Sequence, residues 1–351
     1  MVSDKVLLIA IYFSLITAGL TLLLLLLIAL LRLKFHVEGK RFKDFENQWQ
    51  PRLVRVIVGE AIAPAARLGR SGQLILLRLW NYWNESMAGE SRARLRQFVR
   101  EIGCEQVAMK LARKGNRAQK LLSVISLGNF GHAPAWKTLR DLVDRPDQIL
   151  ALHAARAMLQ IDPELAMSEL LPRILQRQEW ELSVIANIVK SSRSAFEKTL
   201  QDAWPRLDTP ARVRALQLCQ HLTLPLPDTL VEPLLQPSTD FEQLMAALQL
   251  VARLQTPRYR SRVLALLDHP HGLVRAQAVQ TLGATATRQD TALLLEMLVD
   301  RDLLVRHTAA KSLMQLPAYG SERLRHFNEA LCDARVHQAV TMAMLDHGVP
   351  G

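Results

Sequence analysis

The chain opens with a long, uninterrupted run of apolar residues. Residues 6–31 contain no charged side chain. At about 1.5 Å of rise per residue, a helix of this length measures roughly 39 Å, which exceeds the hydrocarbon core of about 30 Å. The run is also longer than the apolar region of a cleaved signal peptide, which is about 7–15 residues. The pattern predicts a retained transmembrane helix, and the alternatives are a cleaved signal sequence or a buried core helix.

The flanking charges predict the orientation of this helix. Lys5 precedes it and is offset by Asp4, whereas five cations follow it within a dozen residues: Arg32, Lys34, Lys40, Arg41 and Lys43. Cationic flanks stay in the cytoplasm. We therefore expect a periplasmic tail (1–5), one span of the inner membrane (6–31), and a cytoplasmic location for the rest of the chain.

The distal part of the chain has helical periodicity and repeats itself. The stretches that begin at Val274-Arg275 and Val305-Arg306 are copies 31 residues apart, with apolar or Ala positions recurring every four residues. No long stretch alternates with a period of two, so the pattern predicts helices and no sheet. Helix ends are expected near seven markers, 28 to 33 residues apart: Leu127, Leu159, Val189, Leu222, Leu254, Leu282 and Leu313.

Helix pairs of this length cannot bury an apolar face alone, so the repeats are predicted to stack. The units follow the pattern Asp–turn–Val-Arg–x–x–Ala–x–x–x–Leu. They resemble HEAT repeats, closely over 260–316 and loosely over 115–260. The resemblance implies an all-α fold, namely a transmembrane helix followed by an armadillo-type α–α superhelix. The expected domains are a basic membrane-proximal region (32–114), the repeats (115–320), and capping helices with a tail (321–351).

The resemblance also implies structural roles for the Asp and Arg of each unit. In HEAT repeats these residues form a ladder between repeats. The matching pairs here are Asp208 with Arg214, Asp268 with Arg275, and Asp300 with Arg306. The layout of an anchor followed by repeats further resembles bacterial inner-membrane proteins that accompany polysaccharide-synthesis machinery.

The net charge of +11 is confined to one region of the chain. Residues 32–120 contain 19 Lys/Arg and 8 Asp/Glu, whereas residues 121–351 contain 24 of each. A basic region beside a membrane suits anionic head groups or an acidic partner. Ordinary positive-inside bias with a solvated helix face is the alternative. Nucleic acid is not expected, because the chain is tethered and its distal part is neutral.

The candidate contacts within the basic region lie at 72–96. Trp80 and Trp83 share a helical stripe, which is compatible with an amphipathic helix in the membrane interface. The alternative is that these aromatic side chains form the core that caps the following domain. The candidate membrane or partner contacts are Arg78, Trp80, Trp83, Arg92, Arg94 and Arg96.

The sequence contains no recognisable catalytic or ligand-binding motif. Phosphate-binding loops, HExxH and GxSxG are all missing. The pair His269 and His271 lacks a third ligand, and the three cysteines, Cys104, Cys219 and Cys332, are too far apart in sequence to form a zinc knuckle. We therefore expect no catalytic, cofactor-binding or metal-binding residues, no cofactor and no small-molecule substrate.

A repeat surface without catalytic residues, fixed to a membrane, is typical of a scaffold. The sequence predicts a non-enzymatic adaptor for protein partners, with a membrane glycosyltransferase of exopolysaccharide synthesis as the suggested partner. One alternative is a lyase or transferase subunit with an unrecognised site in the groove of the solenoid. The other is a module that binds anionic lipid through its basic region.

Overall fold

The computed structural model describes residues 2–60, 68–316, 320–331 and 333–347. These residues form helices and connecting turns, without a strand among them. The predicted all-α class is therefore confirmed. By its internal contacts the chain divides into an N-terminal unit, Met1–Ile161, and a C-terminal unit, Asp162–Gly351. This division lies within the predicted repeat region 115–320, whose bounds remain a prediction.

The N-terminal unit contains seven α-helices in its described residues. They are α1 (Val2–Val58), α2 (Arg70–Ser86), α3 (Gly89–Glu101), α4 (Cys104–Lys114), α5 (Arg117–Phe130), α6 (Trp136–Val143) and α7 (Gln148–Ile161). The chain reverses tightly after α5, where Gly131 caps the helix with a φ of 64°. Glycine enters this left-handed region without steric cost.

The C-terminal unit contains twelve α-helices in its described residues. They are α8 (Pro163–Gln176), α9 (Leu182–Val189), α10 (Arg193–Ala203), α11 (Thr209–Leu222), α12 (Asp228–Val231), α13 (Phe241–Leu254), α14 (Arg260–Ala265), α15 (Gly272–Ala284), α16 (Thr291–Met297), α17 (Leu303–Gln315), α18 (Gly320–Leu331) and α19 (Ala334–Asp346). Six short 3₁₀ segments join helices of the chain: Ala133–Ala135, Lys190–Ser192, Trp204–Arg206, Glu232–Leu234, Pro257–Tyr259 and Arg288–Asp290.

Helix α1 is much longer than the predicted span. Its 57 residues extend about 85 Å. Tyr12–Leu30, with a mean hydropathy of 2.6, is the stretch of the described residues that is long and apolar enough to cross a membrane. This stretch is exposed, whereas Trp49, Leu53 and Val56 near the end of α1 are buried. One helix therefore carries both the apolar segment and a contact surface for the N-terminal unit.

The C-terminal unit is built on a continuous layer of long inner helices. Helices α11, α13, α15, α17 and α19 pack in succession, and shorter outer helices such as α14 and α16 lie between them in sequence. An aspartate caps the N-terminus of four of these inner helices by accepting a backbone N–H hydrogen bond: Asp208, Asp240, Asp302 and Asp333. All seven predicted helix-end markers lie within three residues of an observed helix end.

Helix α8 contains a proline, Pro172, in its interior. Proline disrupts a helix locally without always ending it, because burial of the apolar face on both sides of the ring holds the helix together. Here Leu170, Leu171 and Ile174 flank the proline and are buried.

Small residues set the approach of α5 to α7 in the N-terminal unit. A Cβ atom added to Gly128 would lie 2.8 Å from Cα of Ala157 and 2.9 Å from its Cβ. Because Ala157 Cα is backbone, no rotation of a side chain relieves this overlap.

We expect Gly128→Ala to lower the free energy of unfolding of the N-terminal unit by about 1–3 kcal/mol, because the overlap outweighs the better helix propensity of alanine. Urea unfolding followed by circular dichroism measures this. Gly39→Ala is the matched control, since nothing lies within 4 Å of its added Cβ. A Gly128→Ala protein as stable as the control would show that the helices can separate at no cost.

Candidate partner-binding groove

The C-terminal unit has a groove of about 760 Å³ across its inner helices. Its walls come from α11, α13, α15 and α17. Gln220, Gln249 and Gln277 occupy successive inner helices at intervals of 29 and 28 residues. The groove therefore repeats the same polar group along the layer, at the spacing of the repeat itself.

The groove is rich in side-chain amides that have no partner. Six glutamines line it: Gln220, Gln249, Gln255, Gln277, Gln280 and Gln315. Each amide offers both a donor and an acceptor. Across the described part of the chain, these six amides make no side-chain hydrogen bond. The cations Arg253 and Lys311 add positive charge to the same surface.

A cluster of charged side chains lies at one end of the groove. Nε2 of His307 and Nζ of Lys311 are each 3.2 Å from the same carboxylate oxygen of Asp346. The hydrogen bond from Lys311 lowers the pKa of Asp346. Because this carboxylate is about half-exposed, water screens the cluster, and we assign it to the packing of α17 against α19.

Arg275 forms the strongest polar link between neighbouring repeats. Its Nε and Nη2 each lie 2.8 Å from a carboxylate oxygen of Asp300, and the two side chains are only 5% and 10% exposed. Nη1 also donates to the carbonyl oxygens of His269 (2.8 Å) and Pro270 (3.1 Å). Burial opposes ionisation of Asp300, but the bonds from Arg275 still lower the pKa of this carboxyl below its ordinary value.

Arg275 thus meets a different carboxylate from the one that the resemblance implies for the ladder. Asp268, the implied partner of Arg275, is exposed. Asp208 caps α11 through the N–H of Ala211 (3.0 Å) and does not meet Arg214. The spacing within a unit places each aspartate beside the start of an inner helix, whereas the arginine points towards the neighbouring unit.

Arg214 and Arg306 bind backbone carbonyls where the resemblance implied carboxylates. Arg214 is buried and donates to the carbonyl oxygens of Ile174 (2.8 Å) and Arg177 (2.7 Å). Arg306 donates to the carbonyl oxygens of Asp300 (2.8 Å) and Arg335 (3.3 Å). Every residue has a backbone carbonyl, so residue types do not reveal which carbonyl accepts a hydrogen bond. These contacts therefore could not be predicted from the sequence.

The aromatic stripe of α2 is divided between core and surface. Trp80 is 1% exposed and stacks on Phe130 with ring centroids 5.3 Å apart. Trp83 is half-buried and Arg78 is exposed. Trp80 therefore cannot serve as the predicted membrane or partner contact, and its burial agrees with the alternative that α2 forms a core.

The predicted basic contacts on α3 are Arg92, Arg94 and Arg96, and all three are half-buried. Arg92 donates to the carbonyl oxygen of Met87, and Arg94 lies 3.4 Å from Glu90. The pKa of Arg96 is lowered by burial and by the neighbouring charges of Arg100 and Arg92. The structure thus brings several cations together on one short helix.

The histidines and cysteines have structural surroundings. Nδ1 of His269 accepts the backbone N–H of His271 at 3.1 Å. In the described ranges, no group of three or more His, Cys, Asp or Glu could hold a metal ion. Burial raises the pKa of both Cys104 and Cys219 to about 12, which keeps these thiols protonated and unreactive. Cys332 lies outside the described residues.

Comparison with known proteins identifies the repeats. The family model for HEAT repeats matches residues 228–343, the segment that contains α12 to α18 and most of α19. A solved structure of an engineered protein, from the Northeast Structural Genomics Consortium, is 17% identical, covers 80% of this chain and 89% of its own, and has a TM-score of 0.34. No curated protein matches the chain. HEAT repeats generally mediate protein–protein interaction and are typically non-catalytic. Residues 228–343 are therefore similar to HEAT repeats.

Proposed function

We propose that the chain is a membrane-tethered adaptor that holds a protein partner in the groove of its C-terminal unit. The observation that carries this proposal is the row of unpartnered amides along the inner helices. These amides are exposed or half-exposed to water, so a ligand that displaces this water must supply matching donors and acceptors, or leave the amides buried without partners. An extended peptide segment presents such groups at every residue.

The lining of the groove argues against sugars and nucleobases. Among the described residues that line it there is no Trp, Tyr or Phe. Bases are commonly bound by stacking on aromatic rings, and amphipathic sugar rings need a comparable apolar face. The amide row with its few cations is better suited to a polypeptide.

The tether is the apolar segment of α1. Tyr12–Leu30 is exposed and has a mean hydropathy of 2.6. Exposure of this nineteen-residue, predominantly apolar segment to water is unfavourable, and a bilayer removes this cost. The cationic residues that follow the segment support a cytoplasmic location for the repeats. Protease treatment of intact spheroplasts tests this topology, since digestion of the repeats would contradict it.

Site-specific photocrosslinking in cells tests the groove. A benzoylphenylalanine residue at Gln249 is expected to give one discrete protein adduct, because this position lies in the groove. The matched control is Glu296, an exposed residue of the outer helix α16. Equal adducts from both positions, or none from Gln249, would contradict the adaptor function.

The finer proposal concerns the identity of the partner. A membrane glycosyltransferase of an exopolysaccharide system is proposed from the resemblance in layout alone. Mass spectrometry of the Gln249 adduct decides this point, because any other protein in the adduct would refute the glycosyltransferase and leave the adaptor function intact.

A further inference from the structure

Helix α3 carries a row of three arginines on one flank. Arg92, Arg96 and Arg100 are four residues apart, so their side chains follow one another along the helix. The two outer arginines are anchored at helix C-termini, where carbonyl groups attract cations. Arg92 donates to the carbonyl oxygen of Met87 after α2, and Arg100 donates to that of Phe130 at the end of α5 (2.6 Å). Nε of Arg100 also lies 3.3 Å from a carboxylate oxygen of Glu105, so the charge of Arg100 is partly balanced within the unit.

The central arginine has no partner. Arg96 makes no hydrogen bond or ion pair to any described residue, and its Nε is buried. The charges that bear on it are the like charges of Arg100 and Arg92, which together with burial lower its pKa. Like charges on both sides of a half-buried cation oppose its ionisation, and an anion supplied by a binding partner would offset this repulsion.

Such an anion could come from lipid head groups or from a partner protein. The position of α3 beside α1 distinguishes these two sources. Phe98 packs on Trp49 with ring centroids 6.5 Å apart, and Oγ of Ser91 donates to the carbonyl oxygen of Ile57. Helix α3 thus runs antiparallel to residues 49–57 of α1. Trp49 is nineteen residues beyond Leu30, which is about 28 Å along a helix.

This distance disfavours lipid head groups as the source. The head-group layer extends only about 5–8 Å beyond the hydrocarbon core, and charges are screened over about 8 Å in physiological salt. A typical tilt of about 20° shortens the distance by less than a tenth. This step rests on the proposed membrane tether, because it takes Leu30 as the end of the span.

We propose that Arg92, Arg96 and Arg100 form a binding site for carboxylate side chains of an acidic segment in a partner protein. The planar guanidinium groups bind carboxylates through paired, charge-assisted hydrogen bonds. The site belongs to the N-terminal unit and is a second contact surface, separate from the amide-lined groove.

Binding of a fluorescent octaglutamate peptide to the full chain in phosphatidylcholine nanodiscs tests this site. Arg96→Gln is expected to weaken binding by about tenfold, the loss of one charge-assisted hydrogen bond. Arg94→Gln is the matched control, since it removes the same charge from the opposite flank of α3, where Arg94 pairs with Glu90. We expect the control to stay within about twofold of the original affinity.

A thermal melt separates a binding role from a structural one. Because Arg96 is repelled by its neighbours, Arg96→Gln is expected to melt at the same temperature as the original chain or higher. Arg96→Lys keeps the positive charge but lacks the planar guanidinium group. We expect this variant to bind the peptide with intermediate affinity. Equal weakening by Arg94→Gln and Arg96→Gln, or a lower melting temperature for Arg96→Gln, would overturn the assignment.

Nanodiscs that contain phosphatidylglycerol test the lipid alternative. If the original chain loses peptide affinity in these discs and Arg96→Gln does not, lipid occupies the row and the proposal is wrong. The Gln249 crosslink reports on the groove independently. Failure of the arginine site with that crosslink intact would therefore leave the adaptor function standing.

Discussion

Replacement of Trp80 by alanine is expected to lower the free energy of unfolding of the N-terminal unit by about 3–5 kcal/mol, the usual cost of removing a buried large aromatic side chain. The indole is 1% exposed and stacks on Phe130 with the rings nearly parallel, at an interplanar angle of 8°. Its removal leaves a cavity between α2 and α5 and abolishes the ring contact. Urea unfolding of the detergent-solubilised full chain, followed by circular dichroism, measures the effect.

Tyr82→Ala is the matched control for this experiment. Tyr82 lies two residues away on α2 and is 71% exposed, so its loss should change the free energy of unfolding by no more than about 0.5 kcal/mol. An interfacial helix predicts the opposite pattern. If Trp80→Ala unfolds like the original chain but binds anionic vesicles more weakly, the indole lies against lipid and the packing described above is wrong.

Replacement of Asp300 by alanine is expected to destabilise the C-terminal unit by about 3 kcal/mol or more, because it leaves the guanidinium of Arg275 buried without its carboxylate. The two side chains are joined by a pair of 2.8 Å hydrogen bonds and are nearly inaccessible to solvent. The two carbonyl contacts of Arg275 remain but carry no full negative charge. The same urea titration measures the loss.

Asp268→Ala separates the observed ladder from the implied one. Asp268 is the partner that the HEAT pattern implies for Arg275, yet it is exposed. We expect its replacement to cost no more than about 0.5 kcal/mol. A large loss for Asp268→Ala together with a small loss for Asp300→Ala would show that Arg275 pairs within its own repeat.

The repeat architecture was predictable because it depends on periodicity. Apolar residues three and four positions apart define helices, and the recurrence of the unit defines stacked pairs. The markers at Val189, Leu222 and Leu254 coincide with the last residues of α9, α11 and α13. Helix ends of this kind depend on residues that are close together in the chain, so they can be predicted from the sequence.

The partners of the ladder and the fate of the tryptophans were not predictable in the same way. Asp268 and Asp300 occupy comparable places in their units. Arg275 nevertheless pairs with Asp300 of the next repeat, because the packing of the two repeats brings these side chains within 2.8 Å of each other. Trp80 and Trp83 share a stripe, but Trp80 is buried against Phe130 of α5, whereas Trp83 is half-buried. Ion pairing and burial of this kind depend on which helix packs against the residue. The pattern of neighbouring residues in the sequence does not show which helix that is.

The sequence by itself determined the helical class, the repeat and its period, the apolar segment near the N-terminus, and the concentration of positive charge in residues 32–120. Only the tertiary structure decided which carboxylate each arginine meets, which glutamines line one groove, and which arginine is left between like charges. The physical reason is that periodicity and composition are properties of neighbours along the chain. Pairing, burial and electrostatic repulsion are set by residues brought together across helices that lie far apart in sequence.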